Sequence, residues 1–143
     1  MRSTFAIFLM TIVVIVTGLA LYSALGIARN ADDPAAGRVV TAFGSALNRD
    51  AGARACSLLT AEARSKLEDQ RKKPCAEAII EVASDLEPGG AVTRVDVAET
   101  SAFVRTSRGP AFFLDKVGPA WKLGAAGCEK QAGDAPYSCA LGA

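Results

Sequence analysis

The chain contains no histidine among its 143 residues. That absence removes the base of a Ser-His-Asp or Cys-His pair and every imidazole-based metal site. The four cysteines, at 56, 75, 128 and 139, include no C-x2-C pair, so the spacing does not point to a zinc site either. A surplus of one charge is missing as well. Setting Arg2 and Arg29 aside from the 16 basic residues leaves 14 against 15 acidic ones, a net −1 beyond residue 29. A dedicated binder of nucleic acid or acidic lipid carries a basic face, and here Arg71-Lys72-Lys73 is the one basic run. Three such residues at a helix end read as a solvated cap that suits the helix dipole. Long Pro- or Gly-rich linkers and internal repeats are also lacking. These absences lead to the expectation of no metal, no cofactor and no nucleic-acid partner.

What is present is a long apolar run at 5–28, FAIFLMTIVVIVTGLALYSALGIA, which starts at Phe5, ends at Ala28 and holds no charged residue. As a helix it would extend about 36 Å, against a bilayer core of about 30 Å. Its polar positions, Thr11, Thr17 and Ser23, are scattered and make no stripe. The expectation is a signal-anchor transmembrane helix over 1–28. The alternative is a signal peptide cut near Ala28, although the apolar core of such peptides runs only about 7–15 residues. Arg2 and Arg29 nearly balance across the run, and the α-amino group tips the orientation toward an inside N-terminus and an outside domain. Residues 29–33, RNADD, form a short connector that would hold the remainder, 34–143, close to the bilayer.

On that side of a membrane an even number of cysteines forms disulfides by default. Four cysteines allow three pairings. The sequence-local choice, Cys56–Cys75 with Cys128–Cys139, is the expected one, and each bridge would restrict the unfolded chain by about 3 kcal/mol. Reduced, buried cysteines are the alternative and would follow if the anchor pointed the other way.

After the connector the apolar pattern is helical. Val39, Val40, Phe43 and Leu47 fall on one face of a helix opened by Asp32 or Asp33 and Pro34 and ending near Asn48. Asp50 is expected to cap a short second helix through Cys56 and Leu59. Thr60 is expected to cap a third, running to Lys73 before Pro74, and Pro74 to open a fourth through Ala78, Ile79, Val82 and Leu86. Pro88-Gly89-Gly90 stops the helices, and the pattern then alternates. Strands are expected at 92–98, 101–106, 111–117 and from Trp121 to Ala125, joined by short turns as an antiparallel meander. The remaining tail is small and polar, anchored by Tyr137. Helices first and a meander second make an α+β domain.

This order, with Val39, Val40, Phe43 and Leu47, then Ala55-Cys56-Ser57-Leu58-Leu59, Pro74-Cys75, the run from Trp121 to Cys128, and Pro136-Tyr137-Ser138-Cys139, resembles the NTF2-like (cystatin-like α+β) superfamily, and within it small membrane-anchored or secreted bacterial proteins. The resemblance covers roughly 33–140. It implies helices packed on a curved sheet, often around a cone-shaped cavity, in a superfamily with both enzymes and binders. Isomerase-like members use an aspartate with a tyrosine and a neutral acid. Here Tyr22 falls in the apolar run and Tyr137 in the tail, and dehydratase-like members need a histidine.

The candidate lining of such a cavity is Phe43, Phe112, Phe113 and Trp121, with core packing as the plainer account. Its candidate polar groups are Asp96 and Asp115. By alternation Asp96 shares a face with Arg94, which suits a solvated or paired carboxylate, and Asp115 and Lys116 point to opposite faces. No residue is assigned a catalytic role. The leading expectation is a non-catalytic binding or accessory module, anchored outside the cytoplasm, for an envelope protein or a small apolar ligand. A carboxylate-dependent isomerase or hydrolase and a structural tether are the alternatives.

Overall fold

The computed structural model describes residues 34–134 and 136–142. The expected anchor at 1–28, the connector at 29–33 and the capping by Asp32 or Asp33 lie outside the described residues. No helix among the described residues is long and apolar enough to cross a membrane. The described residues fold as an α+β unit of five helices followed by five strands.

Helix α1 spans Pro34–Leu47 and buries Ala36, Gly37, Val40, Phe43, Gly44, Ala46 and Leu47. That spacing is one helical face. Its small members bring the helix close to its neighbours. A Cβ on Gly37 would stand 3.3 Å from Val95 Cγ2, and one on Gly44 would stand 2.9 Å from the Pro88 ring. Asp50 does not cap the second helix as expected. It takes a left-handed φ of 54° and closes α1, its N–H donating to the Leu47 carbonyl at 3.0 Å. A capping residue needs extended backbone, and aspartate is among the residues that tolerate the left-handed region at a helix end. Ala51 therefore stands at the start of α2 (Gly52–Ser57) with no side-chain cap.

Helix α3 (Ala61–Arg71) begins as expected, with the Thr60 hydroxyl accepting from the Ala63 N–H at 3.1 Å. It ends earlier than Lys73, because Lys72 turns left-handed at φ 54° and donates back to the Glu68 carbonyl at 2.7 Å. The fourth helical run is split into α4 (Cys75–Glu81) and α5 (Ala83–Leu86) by a turn at Val82. Glu87 is extended, as the residue before Pro88 should be, and this stops α5. Lys73 donates to the Glu81 carboxylate, which raises the lysine above its ordinary pKa.

The strands β1 (Val92–Ala98), β2 (Ser101–Thr106), β3 (Ala111–Val117), β4 (Ala120–Lys130) and β5 (Tyr137–Leu141) form one sheet in sequence order, every neighbour antiparallel. Its inner face packs Val95, Val97, Ala102, Val104, Phe112, Leu114, Trp121 and Leu123 against the helices. Helix α1 lies across it, touching β1, β2 and β4. The fourth strand is longer than expected, and the tail is a strand instead of an irregular segment. Small residues hid it, but its burial alternates: Tyr137 and Cys139 are half-buried, Ser138 and Ala140 exposed.

Two disulfides cross the unit, in the sequence-local pairing. Cys56–Cys75 joins α2 to the start of α4 with a Cα separation of 6.1 Å. Cys128–Cys139 joins residues directly opposite each other on β4 and β5.

Candidate functional site

Consecutive residues of a strand face opposite ways, and this divides the aromatic residues singled out from the sequence. Phe112 points inward and is fully buried with Phe43, and Trp121 packs in the same core at 5% exposure. Phe113 points outward. It meets Phe103 of β2 with ring centroids 5.3 Å apart and Tyr137 of β5 at 5.4 Å, and Phe103 and Tyr137 are 5.8 Å apart. All three pairs are tilted or edge-on, the arrangements aromatic quadrupoles favour.

This triad covers a second, smaller apolar cluster of Ala111, Ala125 and Cys128, with Cys139 beside it. The register explains how the groups meet. Phe103 is opposite Phe113, Phe113 opposite Ala125, Ala111 opposite Cys128, and Cys128 opposite Cys139. Small residues on β3 and β4 leave room for Tyr137 to reach across. The disulfide holds β5, and therefore Tyr137, against β4. The three aromatic residues remain half-buried, so the outer face of the sheet presents an apolar surface with polar neighbours. Asp96 is opposite Phe103, and Arg105 and Asp115 follow on the same face.

Phe113 and Tyr137 stand out in the sequence, but nothing in it joins them or draws Phe103 to them. The missed signal is register. Phe103 and Phe113 are each outward positions on neighbouring strands joined by a short turn.

The two carboxylates lie in separate surface clefts. Asp96 lines one of about 470 Å³ between α1 and β1, with Arg38, Thr41, Thr93 and Arg94. Its Oδ2 is 2.6 Å from Arg94 Nε, so it is ion-paired as its alternation suggested. Asp115 lines one of about 290 Å³ between α3 and β4, with Thr60, Glu62, Lys66 and Phe113. Gly124 makes room for it, since a Cβ there would sit 2.4 Å from Asp115 Oδ2. Lys116 turns to the other face and lays its ammonium 5.5 Å from the centre of the Trp121 ring. A third cleft of about 410 Å³ is lined by Asp85, Glu129 and Ser138 among others. Phe43, Phe112 and Trp121 line none of these three clefts. Among the described residues, no group of three His, Cys, Asp or Glu side chains could hold a metal ion.

Chemically, the outer face offers stacking and apolar cover, with the Tyr137 hydroxyl as a polar handle. In comparisons with protein-family models, curated proteins and solved structures, the chain matches none.

Proposed function

We propose that this chain is a non-catalytic accessory module that docks a protein of the cell envelope, anchored by 5–28 with its domain outside the cytoplasm. The observation that carries this reading is the Phe103–Phe113–Tyr137 patch, a half-buried aromatic surface held by the Cys128–Cys139 bridge and bordered by charge. Aromatic anchors on a rigid support, surrounded by polar groups, are the usual centre of a protein interface. The core argues the same way, because three of the four aromatic side chains expected to line a cone, Phe43, Phe112 and Trp121, are packed into it, and the fourth, Phe113, faces outward. An NTF2-like fold is part of the reading and rests on the helices-first order, α1 across the sheet and the unbroken meander. The address rests on the two disulfides, which favour an oxidising compartment, together with the uncharged run at 5–28.

The test places a photo-crosslinking amino acid at Phe103 in the full chain, in intact cells, with Glu62 as the control position. A discrete adduct to an envelope protein from position 103, absent from 62, is the expected result. Equal labelling from both positions, or none from 103, refutes the docking role. Protease added outside the same cells should digest the domain, and full protection reverses the address.

A further inference from the structure

We infer that the free edge of β1 is a self-recognition edge that takes β1 of a second copy, antiparallel, about a two-fold axis through Val95. Along one side β1 pairs with β2, and no described strand pairs with its other side. The opposite end of the sheet is different, since β5 is bracketed by α3 and α5. The helix beside β1 is α1: its Gly37 meets Val92 and Val95 on the inner face, and its Arg38 and Thr41 border an open cleft with Thr93, Arg94 and Asp96, which leaves the strand edge reachable.

The order of charges along this edge selects its partner. β1 reads Val92-Thr93-Arg94-Val95-Asp96-Val97-Ala98, with opposite charges placed symmetrically about Val95. An antiparallel two-fold through Val95 sets Arg94 against Asp96 of the second copy, and Asp96 against Arg94 of the second copy. Both residues are on the outer face and largely exposed. Directly opposed unlike charges on paired strands attract, and like charges repel. Inside one chain Asp96 Oδ2 already lies 2.6 Å from Arg94 Nε, but Arg94 also stands opposite Arg105 of β2, so two arginines share one carboxylate along this row. A second copy brings a carboxylate to the other side of Arg94.

A foreign strand without this symmetry would set no complementary charge opposite Arg94 and Asp96, and charged edges of this kind discourage indiscriminate pairing. The irregular pairing between Val92 and Arg94 confines the regular part of the edge to its later residues. A contact of this length belongs to the small, weak and reversible class of interface. The inference does not rest on the docking role of the aromatic patch, and either can fail alone.

The experiment is sedimentation velocity on the full chain in mild detergent, at concentrations up to about 500 µM, where contacts of this class are populated. The wild type should show a monomer–dimer equilibrium. Arg94→Asp alone, and Asp96→Arg alone, should each weaken it at least about ten-fold by placing like charges together. An equimolar mixture of the two single variants should associate again, and so should the double variant Arg94→Asp/Asp96→Arg. A wild type that stays monomeric, a dimer indifferent to single reversals, or a folded pair of variants that does not recombine would each overturn the inference. Should the variants not fold, hydrogen exchange on the wild type decides. Concentration-dependent protection of amides within 92–98 upholds the edge contact, and unchanged exchange rejects it.

Discussion

Leu59 lies in a parallel bridge with Leu123, the Thr60 N–H donating to the Leu123 carbonyl at 2.9 Å and the Leu123 N–H donating to the Leu58 carbonyl at 2.8 Å. This is where the linker between α2 and α3 attaches to the sheet, on the side of β4 not used by β3. The fourth strand thus shares that side between Leu59 near its start and β5 near its end. Lys122 extends the attachment by donating to the Ser57 carbonyl. Leu59 and Leu123 are both buried in the main core, so the bridge combines backbone pairing with apolar contact.

The Cys56–Cys75 bridge lies beside this attachment and closes a separation of 19 residues. In the chain-entropy account, removing such a link destabilises a domain by about 3 kcal/mol. The double substitution Cys56→Ala/Cys75→Ala should therefore lower the melting temperature by about 10–20 °C, read by circular dichroism without reductant. A change of a degree or two would mean that the unfolded chain gains little freedom from the cut.

Gly52 allows α2 to touch α4 behind that bridge. A Cβ at this position would fall 2.0 Å from the Ala76 carbonyl oxygen, which is backbone and cannot swing away as a side chain would. Gly52→Ala should destabilise by about 1–3 kcal/mol, the range of overpacked sites, despite alanine's better helix propensity. Urea denaturation of this variant beside wild type measures the difference. A stabilised variant would show that the two helices can separate without loss.

Thr60 both enters the Leu123 pairing through its backbone and caps α3 through its hydroxyl. Thr60→Ala should cost about 1 kcal/mol, the usual loss of a capping side chain, and Thr60→Ser should restore most of it. If serine does no better than alanine in chemical denaturation, the threonine methyl and not the cap is what matters.

Much of this arrangement could be read from the residues, and the limits have physical causes. The face of α1 followed from Val40, Phe43 and Leu47, and the first three strands from alternation between turns. Asp50 was misread because one residue can either cap the next helix or close the previous one, and only backbone dihedrals choose. The fifth strand was missed because Ser138 and Ala140 carry little strand signal, and pairing across Cys128–Cys139 supplied what propensity did not. The outer aromatic patch needed register, since Phe103, Phe113 and Tyr137 come from three strands.

Trp121 tests whether the inner face is packed core. It is 5% exposed as the second residue of β4, two residues before Leu123, and Lys116 covers its ring from the rim. Trp121→Ala should lose about 3–5 kcal/mol, as truncation of a buried aromatic does. Lys116→Ala removes only the cation–π contact at an exposed site and should lose about 0.5–1 kcal/mol. Equilibrium denaturation of both variants separates ring burial from the charge above it. A Trp121→Ala loss no larger than that of Lys116→Ala would place the ring at a solvent-filled opening, and with it reopen the inner face as a ligand cavity.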